Sequence, residues 1–157
     1  MEKEFRFSYI QHKSVDALNE ADQELLQAAE QAAERAYAPY SNFHVGAALR
    51  LADGTVVTGN NQENASFPAG TCAERTALHA AMSLYPAATV TTMAILVKGQ
   101  ERPVSPCGVC RQALMEQRTR QQVPLRLLLG TSKGPVLEVS DASSLLPLAF
   151  DGSFLQG

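Results

Sequence analysis

Thr71-Cys72-Ala73-Glu74-Arg75, read together with Ser105-Pro106-Cys107-Gly108-Val109-Cys110, holds all three cysteines of this 157-residue chain. Each segment sits where turn-rich sequence gives way to helical spacing: Ala73, Ala77, Ala80, Ala81 and Leu84 follow the first, and a helix from Cys107 to about Thr119 follows the second. Helix N-termini carry unpaired N–H groups and a partial positive charge, which stabilise thiolates. The spacing of Cys107 and Cys110 lets both converge on one metal ion, with Cys72 as a third ligand. Zinc takes four ligands in a tetrahedron, so three from the protein leave one position open, as in catalytic sites.

Working outward, the remaining elements describe a sheet covered by helices. Phe5, Phe7 and Tyr9 alternate with polar residues and predict a short half-buried strand. Asp22 to Tyr37 has helical alanine and leucine spacing and is expected to end at Pro39. Phe43, Val45, Ala47 and Leu49 then recur at period two, and Asp53-Gly54 joins this run to Thr55–Gly59 as a hairpin. Asn60 to Gly70 reads as a loop. Met93–Val97 and Leu125–Leu129 are continuous apolar runs, expected as strands buried on both faces. Val136–Val139 is an edge strand or hairpin partner, and a short helix is expected around Ser143 to Leu146. No repeat or low-complexity segment interrupts the chain, so residues 1–157 are read as one domain.

Other readings of the site residues stand beside the metal reading. Cys72 alone fits a small buried core position, and Cys107 with Cys110 fits a redox dithiol. Thr71 with Glu74 fits a capping box, and Ser105-Pro106 fits a helix cap followed by proline at the first helical position. Against the cap, a carboxylate beside a metal-activated water can take its proton and return it to substrate. Arg75 is an ordinary exposed helix charge unless it lies beside three thiolates, whose excess negative charge it would offset. His79 follows Cys72 by seven residues, ~10.5 Å along a helix, too far to share its ion. His12 and His44 lie in no ligand-like motif.

Composition narrows the partners. Hydrophobic residues make up 45% and charged residues 18%, as in soluble globular proteins. No apolar run approaches the ~20 residues of a membrane span, and the opening residues lack the apolar core of a signal peptide. An odd cysteine count argues against a disulfide framework and for a reducing, cytoplasmic setting. The net charge of −3, with no basic block, disfavours a nucleic-acid polymer and leaves room for a small neutral substrate.

Cys72-Ala73-Glu74-Arg75 with Pro106-Cys107-Gly108-Val109-Cys110 resembles the zinc-dependent nucleoside deaminases, and specifically the three-cysteine branch of the cytidine deaminase family. The resemblance runs from about Ala36 to Phe150. It implies a three-layer α/β/α sandwich with a mixed central sheet, zinc on Cys72, Cys107 and Cys110, and Glu74 as the proton carrier. It further implies that Arg75 offsets thiolate charge, that Asn61 and Glu63 hold the ribose hydroxyls, and that Phe43 packs on the base. The N–H of Ala65 or Cys72 and a carbonyl near Ser105 would meet the pyrimidine edge, and Phe150 would close a neighbouring subunit's site in a homotetramer. The implied reaction is hydrolytic deamination of cytidine, and of 2′-deoxycytidine, in pyrimidine salvage. Residues 1–20 extend beyond the usual family start, as an added strand or a subunit contact, and Phe67-Pro68-Ala69-Gly70 departs from the usual family pattern. A deaminase of blasticidin-like nucleosides and a structural zinc module remain the alternatives.

Overall fold

The computed structural model describes residues 1–155, so the last two positions of the proposed single domain lie outside the described residues. In chain order the elements are β1 (Ile10–His12), α1 (Glu20–Ala33), β2 (Val45–Leu51), β3 (Val56–Asn60), α2 (Ala73–Leu84), β4 (Val90–Val97), α3 (Gly108–Gln121), β5 (Arg126–Gly130) and β6 (Val136–Val139). The six strands form one sheet in the order β1-β6-β5-β4-β2-β3. Only β4 and β5 run parallel, which makes the sheet mixed; the other neighbours are antiparallel. A parallel pair needs a crossover, and α3 supplies it.

Side chains alternate across the sheet and build two cores. Leu49, Met93, Ile95, Leu127 and Leu129 face one way, with Ala77 and Leu78 of α2 and Leu114 of α3. Ala48, Ala94, Leu96 and Leu128 face the other way, with Leu25, Leu26 and Ala29 of α1. This explains the continuous apolar runs of β4 and β5, which are buried on both faces as expected. The Asp53-Gly54 hairpin forms: Gly54 takes φ +91°, and the Asp53 carboxylate accepts from the Thr55 N–H at 2.9 Å.

Three local expectations are corrected. The N-terminal strand is Ile10–His12 rather than Phe5–Tyr9, because within this segment the pairing with β6 covers those three residues, and Phe5, Phe7 and Tyr9 stay exposed. His12 Nε2 lies 2.7 Å from Glu138, which also accepts from Arg126, so a charged cluster fastens this edge. Helix α1 starts at Glu20, capped by the Asn19 carbonyl accepting from the Asp22 N–H, and stops at Ala33, well before Pro39. It stops because the chain turns to pair elsewhere: the Tyr37 N–H donates to Asn61 at 3.0 Å, and the Tyr37 carbonyl accepts from Glu63 at 2.9 Å. Finally, Phe43 precedes β2 and is not part of it.

The parallel pair fixes where a site can form. The carboxyl end of β4 at Val97 leads into the loop before α3, and the start of β2 lies beside it through the Val45–Val97 pair. Ligands of open α/β sheets bind outside such carboxyl ends.

Candidate active site

Cys72 and Cys107 occupy the same position on two helices. Each is the N-cap, of α2 and α3 respectively, with extended backbone (φ −73°, ψ 155° and φ −68°, ψ 169°) and no side-chain capping bond. Both sulfurs are therefore free to point out of the helix starts. Cys110 lies at the third position of α3 and is fully buried. The three Sγ atoms lie within 4.8 Å of one another, and Cys72 Sγ is 4.0 Å from Cys107 Sγ. Zinc–sulfur bonds of about 2.3 Å in a tetrahedron set thiolates about 3.8 Å apart, so the cluster has the size of a zinc site. Among the described residues no histidine or carboxylate joins the group.

This geometry overturns both capping readings. The cap of α2 is Cys72, one residue after Thr71, so Glu74 is the second helical residue and no capping box forms. The cap of α3 is Cys107, and Ser105 lies outside the helix, where its Oγ accepts from Arg111 Nη2 at 2.9 Å.

Charge is concentrated at the cluster. A hydrogen bond from the Cys110 thiol, aided by Cys107 and the Arg75 guanidinium, holds the Cys72 thiol down to about 5 against its burial. The same bond, with burial and nearby Glu74, pushes the Cys110 thiol up. Glu74 is only 6% exposed, and burial pushes its carboxyl above the usual range. Burial pulls the Arg75 guanidinium down, but the Cys72 and Cys110 sulfurs more than offset this and raise it. Arg75 Nε is buried without a hydrogen-bond partner. An orphaned guanidinium N–H beside the Cys72 and Cys110 sulfurs fits a fully ionised, metal-bearing thiolate cluster.

The cluster opens on a cavity of about 820 Å³. Of the residues singled out in the sequence, Phe43, Asn61, Glu63, Cys72, Glu74, Arg75 and Cys107 line it, as does Ser105. Cys110 sits behind the wall, Ala65 is exposed on the loop beyond the lining, and Phe150 lies off this cavity, stacked on Phe154 at 5.6 Å. Asn61 and Glu63 already have partners. Asn61 accepts from the Val45 N–H and donates to the Phe43 carbonyl, each at 2.8 Å. Glu63 accepts from the backbone N–H groups of Tyr40 (2.8 Å) and Ser41 (3.3 Å) and from the Ser41 hydroxyl. The hydroxyl bond holds the Glu63 carboxyl below its usual range.

Sequence reasoning missed the contacts of two groups. Tyr40 and Phe67 meet edge to face at 6.3 Å on the rim, where an Asn/Pro/Gly-rich loop gave no burial period to read. Arg111 donates to Pro106 and Leu145 carbonyls (2.9 and 3.0 Å) and to Ser105 Oγ, tying the cavity wall to the C-terminal segment. Its partners are distant in sequence, and the only local signal was its place directly after Cys110.

Comparison with known proteins bears directly on this arrangement. A family model described as the cytidine and deoxycytidylate deaminase zinc-binding region matches residues 19–125, a span containing all three cysteines and Glu74. The chain belongs to the cytidine deaminase family. A cytidine deaminase of Halalkalibacterium halodurans is 45% identical over 82% of this chain and 92% of its own length. One from Sporosarcina psychrophila is 41% identical over 82% of this chain and 90% of its own. A crystal structure of cytidine deaminase from Burkholderia pseudomallei superposes with a TM-score of 0.73 at 43% identity, covering 81% of this chain and 97% of that one. The enzyme from Mycobacterium tuberculosis gives 0.64 at 38% identity, over 81% and 94%. The expected α/β sandwich with its mixed sheet is the cytidine deaminase fold, and zinc is the cofactor that its cysteine cluster fits.

Proposed function

We propose that the protein is a cytidine deaminase, hydrolysing cytidine and 2′-deoxycytidine to uridine and deoxyuridine with release of ammonia. The observation that carries this reading is the buried Glu74 carboxyl on the wall of a nucleoside-sized cavity, two residues from one of three clustered thiols. Cys72, Cys107 and Cys110 would hold zinc, which supplies a Lewis acid able to bring the pKa of water toward ~7.

The rest is done by the chain itself. Glu74 takes a proton from the adding water and gives it to N3 of the pyrimidine as the water oxygen bonds to C4. It then takes the proton of the new C4 hydroxyl and passes it to the departing amine, so that C4 becomes a carbonyl and neutral ammonia leaves. Arg75 offsets thiolate charge. Phe43 packs on the base, and the N–H of Ala65 or Cys72 with a carbonyl near Ser105 reads its polar edge. Asn61 keeps one amide hydrogen beyond its bond to Phe43, and Glu63 keeps acceptor capacity, both suited to ribose hydroxyls. A buried polar group left unpaired penalises substrates that lack those hydroxyls.

Residues 1–157 act as one domain in this reading. The enzyme is a cytoplasmic homotetramer serving pyrimidine salvage, with no polymer or membrane partner. Exposed Phe150 and Phe154 support subunit contacts, since a lone chain leaves them facing water. Among the described residues no helix is long and apolar enough to cross a membrane.

Cytidine turnover by the parent beside Glu74→Ala, with zinc content measured in both, tests the reading. The variant keeps its metal and loses at least ~100-fold in rate, the scale of a lost general acid–base. Equal rates would remove Glu74 from the chemistry, and no turnover by the parent would remove cytidine as substrate.

A further inference from the structure

Ser41 is exposed, lies on the cavity wall and has no partner among the cysteines, yet its hydroxyl joins two walls of the site. The hydroxyl donates to Glu63 Oε1, and its oxygen accepts from the Phe43 N–H at 3.1 Å. The same residue's N–H donates to Glu63 Oε2 at 3.3 Å, beside the Tyr40 N–H at 2.8 Å. Between Ser41 and Phe43 the chain passes through Asn42 in the left-handed region (φ 53°), a conformation asparagine tolerates. The Asn42 N–H donates to the Ala38 carbonyl at 3.0 Å. Phe43, 38% exposed, and Glu63 both line the cavity, joined by this turn.

We infer that Ser41 is a positioning residue that couples the sugar side of the cavity to its base side, through one hydroxyl shared by Glu63 and Phe43. A hydrogen bond to a carboxylate fixes its orientation, leaving a chosen lone pair for a ligand hydroxyl. The same oxygen holds the Phe43 backbone, so a nucleoside that engages Glu63 finds Phe43 already in place. Preorganisation of this kind raises affinity by lowering the ordering cost of binding. The consequence is that sugar hydroxyls and base contacts act together, and Ser41 carries the link. This inference rests on the assignment of Glu63 to the sugar hydroxyls and of Phe43 to the base.

The test is a cycle of two variants against two substrates, cytidine and 2′,3′-dideoxycytidine, with zinc content and Tm recorded throughout. Ser41→Ala raises KM for cytidine roughly tenfold or more, the scale of a lost bond to a charged group, and changes kcat little. For the dideoxynucleoside the same variant raises KM by a smaller factor, about threefold, because the Glu63 contact is absent and only the hold on Phe43 is lost. Ser41→Thr keeps the hydroxyl and recovers most of the loss. Glu63→Gln separates the two layers of the argument. If Glu63→Gln distinguishes the substrates and Ser41→Ala does not, the coupling is overturned while the sugar assignment stands. If Glu63→Gln affects both substrates equally, the sugar assignment falls, and the coupling with it. Should Ser41→Ala lose its fold, Ser41→Thr and Ser41→Cys carry the comparison, and a threonine variant no better than cysteine overturns the role of the hydroxyl.

Discussion

Glu74 was named in the sequence for its place two residues after Cys72, with a helix cap as the competing explanation. The structure removes that competitor, because the helix begins at Cys72 and Glu74 instead faces the cavity, almost wholly buried. A carboxyl so placed opposes folding once it ionises. An unfolded glutamate ionises above about pH 4.3, whereas the buried one holds its proton to higher pH. Across that interval the native state binds more protons, so stability falls as pH rises. In metal-free protein, Glu74→Gln is therefore more stable than the parent at pH 7.5, and the difference closes toward pH 4. Urea midpoints at the two pH values measure it, and a difference independent of pH would contradict the burial argument. The three clustered cysteines were equally legible, since cysteines are few and their spacing carries the geometry. Ser41 and Arg111 were not, because their partners lie 22 and 34 residues away at their farthest.

At the scale of elements, periodicity identified both buried strands, the hairpin and all three helices, but it could not see what ends them. Helix α1 stops for a backbone pairing with Asn61 and Glu63, which no local pattern announces. The strands are pressed between helices through two glycines that face opposite layers. A Cβ on Gly46 would lie 1.8 Å from the Ala29 carbonyl of α1, and one on Gly59 would lie 2.3 Å from the Ala77 nitrogen of α2. Neither neighbour can yield, since both are helix backbone. Gly46→Ala accordingly lowers stability by at least about 2 kcal/mol, at the upper end of overpacking effects, as helix and strand separate. Chemical denaturation reads this directly, with Gly54→Ala as a contrast in which only the positive φ is strained, in open space. A Gly46→Ala variant as stable as the parent would show that α1 does not pack as described.

For the whole molecule, the parallel pair β4–β5 and its crossover bring one helix start to the end of the sheet, where the start of α2 meets it. Three thiols from distant parts of the chain converge there. Sequence order alone indicated a covered sheet, and the cysteine pattern indicated that two helix starts must face each other. The N-terminal segment was read less well, as its aromatic alternation resembled a strand while the actual pairing begins at Ile10. Metal and uridine formation should be followed on one sample of purified protein: as prepared, after chelation, and after reloading with zinc. The account predicts one zinc per chain, with turnover of cytidine lost and regained in proportion to metal content. Full turnover by metal-free protein, or none by protein fully loaded with zinc, would contradict it.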